Sequence, residues 1–321
     1  MVKRIIEAYP SDFMAMTRKD LLQSIRISEG RTIMAEVVCT APTLIDGVSN
    51  IELACAFGAD MITLNVYDVN NPMIFGFPNK KEPPKELFGI FSKYDLGFNQ
   101  TINDVKRFIG RPVGINLEPV DTTIDLLSRE TLPPGRIGNL ENAEKAYKQG
   151  ADFIVLTGNP RTGVTTRSII SATKEIKEDL GDKIIIIAGK MHSAGILKDG
   201  LPDITTKEDI VKLYKSECDV ILLPAPGTVP GITLDTIKRL TQEAHKYDML
   251  VESAFGTSQE GADPETIRRI SLMNKMAGVD IHHIGDAGFS GVAIPENIMA
   301  MSITVRGKRH TYRRIAASLL R

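Results

Sequence analysis

A (β/α)8 TIM barrel is the fold class the sequence predicts, on three observations. The chain contains eight short runs rich in Val, Ile and Leu, each closing in polar or glycine-rich residues. Such runs are too short for buried helices and read as strands of a parallel sheet covered on both faces. Most are followed by a stretch that reads as a helix, which is the βα alternation. A punctuation of glycine, small residue and aspartate also recurs before strands, at Gly58-Ala59-Asp60, Gly150-Ala151-Asp152 and Gly278-Val279-Asp280. A length of 321 residues suits one barrel with insertions, since the fold typically takes roughly 250 residues. The expectation is therefore one domain over residues 1–321.

Element by element, TRKDLLQSIRIS (Thr17–Ser28) reads as an N-terminal helix with a Thr cap and Leu21, Leu22 and Ile25 on one side, placed under the barrel floor or against its flank. Strands are expected near residues 32–40, 60–66, 112–119, 152–159, 183–192, 219–225, 248–254 and 280–286. A helix near Ser49–Phe57 joins the first two. Two connections are long, Asp68–Arg111 after the second strand and Val120–Gly138 after the third. Both leave strand C-termini, where long loops act as lids or specificity elements. Beyond the βα unit no internal repeat is visible. Pro295 opens a C-terminal helix whose Arg306–Arg314 stretch is strongly basic, read as a solvated or subunit-contact face or as an anion-binding patch.

Composition sets aside several classes. The net charge of −1 favours neither nucleic acid nor an acidic membrane surface. No apolar run approaches the ~18 residues that span a bilayer, and the N-terminus lacks a signal-peptide core. A cytoplasmic location is expected. Cys39, Cys55 and Cys218 form no CxxC pair and suggest neither a disulfide framework nor a structural zinc.

Strand residues alternate between lumen and helix layer, and a polar residue inside an apolar strand must face the lumen or the strand end. That rule selects Glu36, Asn65, Asn116, Glu118, Thr157, Asn159, Lys190, His192, Glu252, one of His282 and His283, and Asp286. Aliphatic side chains would fill a purely structural lumen, so this set points to chemistry; an ion-pair network without catalytic use is the plain alternative. Three chemistries suit it. Lys190 as a desolvated amine could form a Schiff base or take a proton, with a glutamate shuttling protons. Glu118 or Glu252 as base opposite His192 as acid would serve an isomerisation. Glu36, Glu252, His192 and His283 could ligate a divalent metal such as Mg, Mn or Zn, although no tight HxH or HExxH spacing supports it.

A phosphate is the expected substrate handle, because barrels of this class grip phosphates with backbone N–H groups after strands seven and eight. The loops there read SAFGTSQEG and GDAGFSGVA. They offer Ser253, Gly256, Thr257, Gly285, Gly288 and Ser290, with Gly227 and Thr228 added after strand six. Asp286 is out of place in such a cradle and suits a metal or a sugar hydroxyl instead. Asn65, Asn116, Thr157 and Asn159 would orient the substrate.

RPVGINL, GADFIVLTGNPRTGVTTRSIISATKEI, KIIIIAGKMHSAGI and ITLDTIKRL resemble segments of the BtpA family of (β/α)8 proteins, over the middle half of the chain. The chain also looks like bacterial barrels labelled phosphoenolpyruvate-phosphonomutase-like. Where BtpA proteins carry a Ser/Gly-rich loop after strand six, this chain has Pro224 and Pro226. The resemblance implies the fold and no defined reaction. Neither the EDK-type loop of phosphonomutases nor a DxDxT nucleophile motif is found.

The sequence is thus read as an enzyme acting on a small phosphorylated metabolite by lyase, aldolase or epimerase-type proton transfer. Lys190, Glu118, Glu252 and His192 are its catalytic residues, and a homo-oligomer is expected. The rivals are a metal-dependent hydrolase or phosphonomutase-like enzyme, and a non-catalytic barrel that binds a metabolite or a partner.

Overall fold

The computed structural model describes residues 1–82, 95–123, 131–192 and 204–321. Eight parallel strands close into a barrel in chain order: β1 Thr32–Val38, β2 Met61–Asn65, β3 Val113–Leu117, β4 Phe153–Leu156, β5 Ile185–Gly189, β6 Val220–Pro224, β7 Leu250–Phe255 and β8 Ile281–Ile284. β8 returns to pair with β1, His283 lying opposite Met34. The helices are α1 Pro10–Ala15, α2 Arg18–Arg26, α3 Asn50–Ala56, α4 Ile102–Ile109, α5 Leu140–Lys148, α6 Thr166–Leu180, α7 Lys207–Lys215, α8 Leu234–His245, α9 Pro264–Ala277 and α10 Pro295–Ala316. Side-chain caps open most of them, as at Thr17, Ser49 and Asp263. The long connection after β2 thus contains α4. The centres of both long connections, residues 83–94 and 124–130, lie outside the described residues, as does 193–203. No helix among the described residues is long and apolar enough to cross a membrane.

Alternation sorts the strand residues into two cores. Ile33, Ala35, Val37, Ile62, Leu64, Ile115, Ile154 and their equivalents face the helices. Met34, Met61, Phe153, Val155, Ile185, Ile187, Leu222, Leu250 and Ile281 fill the lumen, and the N-terminal segment closes the lumen from below with Ile5, Ile6, Phe13, Leu21 and Ile25. The floor is therefore the place of α2, together with a 3-10 turn at Ile5–Glu7 and α1 that the sequence reading had not resolved. Gly114 makes the lower lumen possible, because a Cβ there would lie 2.3 Å from the Phe153 ring.

A repeat of two βα units does exist, contrary to the expectation of none, and it lies at the strand N-termini. Asp60, Asp152, Asp219 and Asp280 each precede an even-numbered strand. Each exchanges two hydrogen bonds with a residue at the start of the preceding strand. Its backbone N–H donates to the carbonyl of Ile33, Val113, Ile186 or Val251, and its carboxylate accepts the N–H of the same residue at 2.8–2.9 Å. Each carboxylate also holds a basic side chain: Arg306 and Arg314 on Asp60, Lys106 on Asp152, Arg18 and Lys177 on Asp219, and His245 on Asp280. The punctuation seen at three junctions is this clamp.

One other expectation changes in part. Arg306 and Arg314 are buried against Asp60 rather than solvated or presented to a partner and lock α10 to the barrel, while Lys308, Arg309 and Arg313 stay exposed as expected. Burial alone would push the Asp60 carboxyl up, and the two guanidinium groups outweigh it and hold it below its ordinary value. The three cysteines are free and buried, and burial pushes Cys39 and Cys218 up to about 12 and Cys55 to about 11, which leaves the thiols unreactive at neutral pH.

Candidate active site

The polar residues of the lumen gather on one side. Strands β4 to β6 turn Val155, Ile187 and Leu222 inward, whereas β1, β2, β3, β7 and β8 contribute Glu36, Asn65, Asn116, Glu252 and His283. His283 is the centre. Its Nε2 lies 3.3 Å from Glu36 and its Nδ1 3.2 Å from Glu252, which is fully buried. These are ion-pair contacts without hydrogen-bond alignment, and both Glu252 oxygens lack a hydrogen-bond partner. Burial alone would lower the imidazole pKa; Glu252 and then Glu36 overcome it and raise it to about 10. Asn116 Nδ2 donates to the other Glu36 oxygen.

A second chain of contacts crosses the mouth. Asn65 Nδ2 donates to Asp286 at 2.6 Å and to Asn159 Oδ1 at 3.2 Å. Asn159 in turn donates to Glu118 through its side-chain amide at 3.0 Å and its backbone N–H at 2.9 Å. Arg136, from the connection after β3, pairs with Glu118 at 2.5 Å. The half-buried Asp286 carboxyl is pushed up to about 7, by burial first and then by Glu36. Val66, directly after Asn65, holds a left-handed φ of 63°. That is an outlier for a β-branched residue, and such strain collects at functional sites.

The structure redistributes several expected roles. β5 ends at Gly189, so Lys190 and His192 stand half-buried above the rim rather than within the lumen, and Met191 is the residue that packs on the lumen core. Burial, and then Lys190, hold the His192 pKa below its ordinary value. Glu252 is fully buried against His283, and Glu118, 1% exposed, is held by Arg136 and Asn159. Ser253 faces the helix layer and donates to Asn274 at 2.9 Å. His282 also points outward, to the carbonyl of Gly30, and burial takes its pKa down to about 4. Thr157 is buried with an unpaired hydroxyl.

For the metal expectation, His283 has a carboxylate against each ring nitrogen, and His192 stands above the rim. Among the described residues no three of His, Cys, Asp and Glu are grouped to hold a metal ion.

The phosphate cradle is altered most. Thr228 donates its hydroxyl to the Ala225 carbonyl at 2.7 Å, and Thr257 donates to those of Thr228 and Gly256 at 2.5 and 2.7 Å. The Gly227 and Gly285 N–H groups bind Ile232 and Phe255 carbonyls, and the Ser290 hydroxyl binds Pro42. Between the loops after β7 and β8 sits a carboxylate that sequence reasoning missed, Glu260, which accepts the Ala287 N–H at 2.9 Å. Its signal was an acidic residue inside the small-residue loop that otherwise reads as an anion site.

No curated protein matches the sequence. A family model described as a domain of unknown function, DUF7916, matches residues 6–321. The fold is similar to that of the carboxyl transferase domain from Rhizobium etli pyruvate carboxylase with 3-hydroxypyruvate, at 12% identity and a TM-score of 0.50, over 98% of this chain and 52% of that one. It is also similar to thiamine phosphate pyrophosphorylase from Pyrococcus furiosus, at 13% identity and 0.44, over 86% of this chain and 96% of that one. For 2,3-dimethylmalate lyase, a PEP mutase/isocitrate lyase superfamily member, the values are 13% and 0.45, over 94% and 95%. The chain spans about half the length of the carboxyl transferase chain it matches. At 12% identity the likeness to the carboxyl transferase domain is one of fold alone, and the family model that matches is DUF7916 rather than BtpA.

Proposed function

The chain belongs to the DUF7916 family, and we propose that its barrel mouth is the active site of a lyase or isomerase that moves a proton at a carbon next to a carbonyl. The observation that carries this is Asp286. It stands half-buried at the C-terminal end of β8, is fixed by Asn65, and has a pKa pushed up to about 7. A carboxylate poised there takes a proton as a base and returns it as an acid at neutral pH. Burial sets this state first; Glu36 adds to it by repelling the ionised form, and His283, clamped by Glu36 and Glu252, offsets part of that repulsion.

On the opposite rim Lys190 brings positive charge to the side where an enolate oxygen would develop, and His192, its pKa lowered, is a neutral proton donor. Glu118 is a positioning residue that orients Asn159, and through it Asn65. Proton transfer thus passes from the expected Glu118 and Glu252 to Asp286, and the lyase or isomerase class is retained.

The test is solvent exchange. Incubated in D2O with a panel of small hydroxylated aldehydes, ketones and keto acids, the protein should place deuterium beside the carbonyl of at least one, followed by proton NMR. Asp286→Asn, which keeps the shape, should lower that rate by about 100-fold or more, as loss of a general base does. Exchange by Asp286→Asn at the parent rate would overturn the assignment.

A further inference from the structure

Glu260 gives the mouth a buried carboxyl of its own. Its residue is 1% exposed, its Oε1 accepts the Ala287 N–H, and its Oε2 has no hydrogen-bond partner. A buried carboxylate oxygen left unpaired is costly and calls for a proton or a ligand donor.

The surroundings hold this carboxylate in place. A Cβ on Gly285 would lie 3.0 Å from Oε1, so glycine there leaves it room. Asn297, itself buried, donates to the carbonyls of Glu260 and Ala262 at 2.9 and 2.7 Å. Thr257 and Ser258 lead into the turn with left-handed φ of 56° and 70°, a conformation kept only where the surrounding structure enforces it. Burial pushes the Glu260 carboxyl up, and it shares with Asp286 an unfavourable interaction with Glu36.

A phosphate in these loops would meet Glu260 and Asp286 where the hydroxyls of Thr228 and Thr257 are already donated to backbone carbonyls. A neutral hydroxyl donates a hydrogen bond to a carboxylate and brings no charge of its own. Resting on the acid–base reading of the same site, we propose that the mouth takes an uncharged polyhydroxylated carbonyl compound, whose hydroxyls donate to Glu260 and Asp286, and not a phosphate ester. The Asn65 and Asn159 amides, each donor and acceptor at once, complement such a ligand.

The experiment is calorimetric titration of the full chain at neutral pH with D-glyceraldehyde, dihydroxyacetone and D-erythrose, each against its own phosphate ester. The neutral member of at least one pair should bind more tightly than its ester, with affinity falling about tenfold or more in Glu260→Gln, the loss of roughly one charged hydrogen bond. Inorganic phosphate should leave the neutral compound bound, a readout that does not depend on how the variant folds. Tighter binding of the esters, displacement by inorganic phosphate, unchanged binding in a folded Glu260→Gln, or no binding by any pair overturns the proposal. Neutral-compound binding without deuterium exchange would keep this ligand class and remove the acid–base reading; exchange confined to phosphate esters would do the reverse.

Discussion

At the scale of single residues, His283 shows how neighbours set chemistry. Between Glu36 and Glu252 its pKa is raised to about 10, so it is an imidazolium throughout the neutral range. Replacing it with Gln would leave two buried carboxylates facing one another, at a cost of about 3–5 kcal/mol. That loss should appear as a lowered denaturant midpoint at neutral pH with unchanged slope; a midpoint equal to the parent's would show the triad contributes little. The alternation rule made Glu36, Asn65, Asn116 and Glu252 legible, because a polar side chain inside an aliphatic strand has one inexpensive direction. The rule failed for Lys190, since β5 ends one residue earlier, while Ser253, expected in the phosphate loop, has its hydroxyl on Asn274 behind the sheet. Glu260 lay outside its reach, because no periodicity governs a loop.

Among the elements, the aspartate clamps tie each odd strand to its even neighbour below the chemistry. The sequence displayed three of them as punctuation but not their partners, which come from helices as distant as α10. Asp60 is the strictest case, fully buried with Arg306 and Arg314 on it. Asp60→Asn strands two buried guanidinium groups and should cost about 3–5 kcal/mol. Asp280→Asn, whose partner His245 is partly exposed, should cost less. Equal losses by chemical denaturation would contradict the clamp hierarchy. The start of α2 was readable from its Thr17 cap. The segments below the barrel floor were not, because Ile5–Glu7 and Pro10–Ala15 are too short to show a period.

For the whole molecule, the mouth charges make stability fall with pH. An unfolded aspartate loses its proton near pH ~3.9, whereas Asp286 keeps its own to about 7, so its contribution declines between those values. The His283 contribution is complete below the unfolded histidine value of ~6.5 and is lost as pH rises toward about 10. The parent should therefore lose more stability between mildly acid and alkaline pH than His283→Gln does, and parallel profiles would contradict the assignment. The barrel itself was legible from eight apolar runs and their spacing, since parallel strands buried on both faces leave few other ways to read such runs. What the fold does at its mouth was legible only in part, because it depends on which loop carboxylates fold inward. The measurement that tests this most directly is the pH profile of solvent-deuterium exchange for the parent and Asp286→Asn. The parent rate should rise to half its maximum near the Asp286 value of about 7, and the variant should stay near background throughout. A variant that exchanges like the parent, with the same profile, would contradict the account.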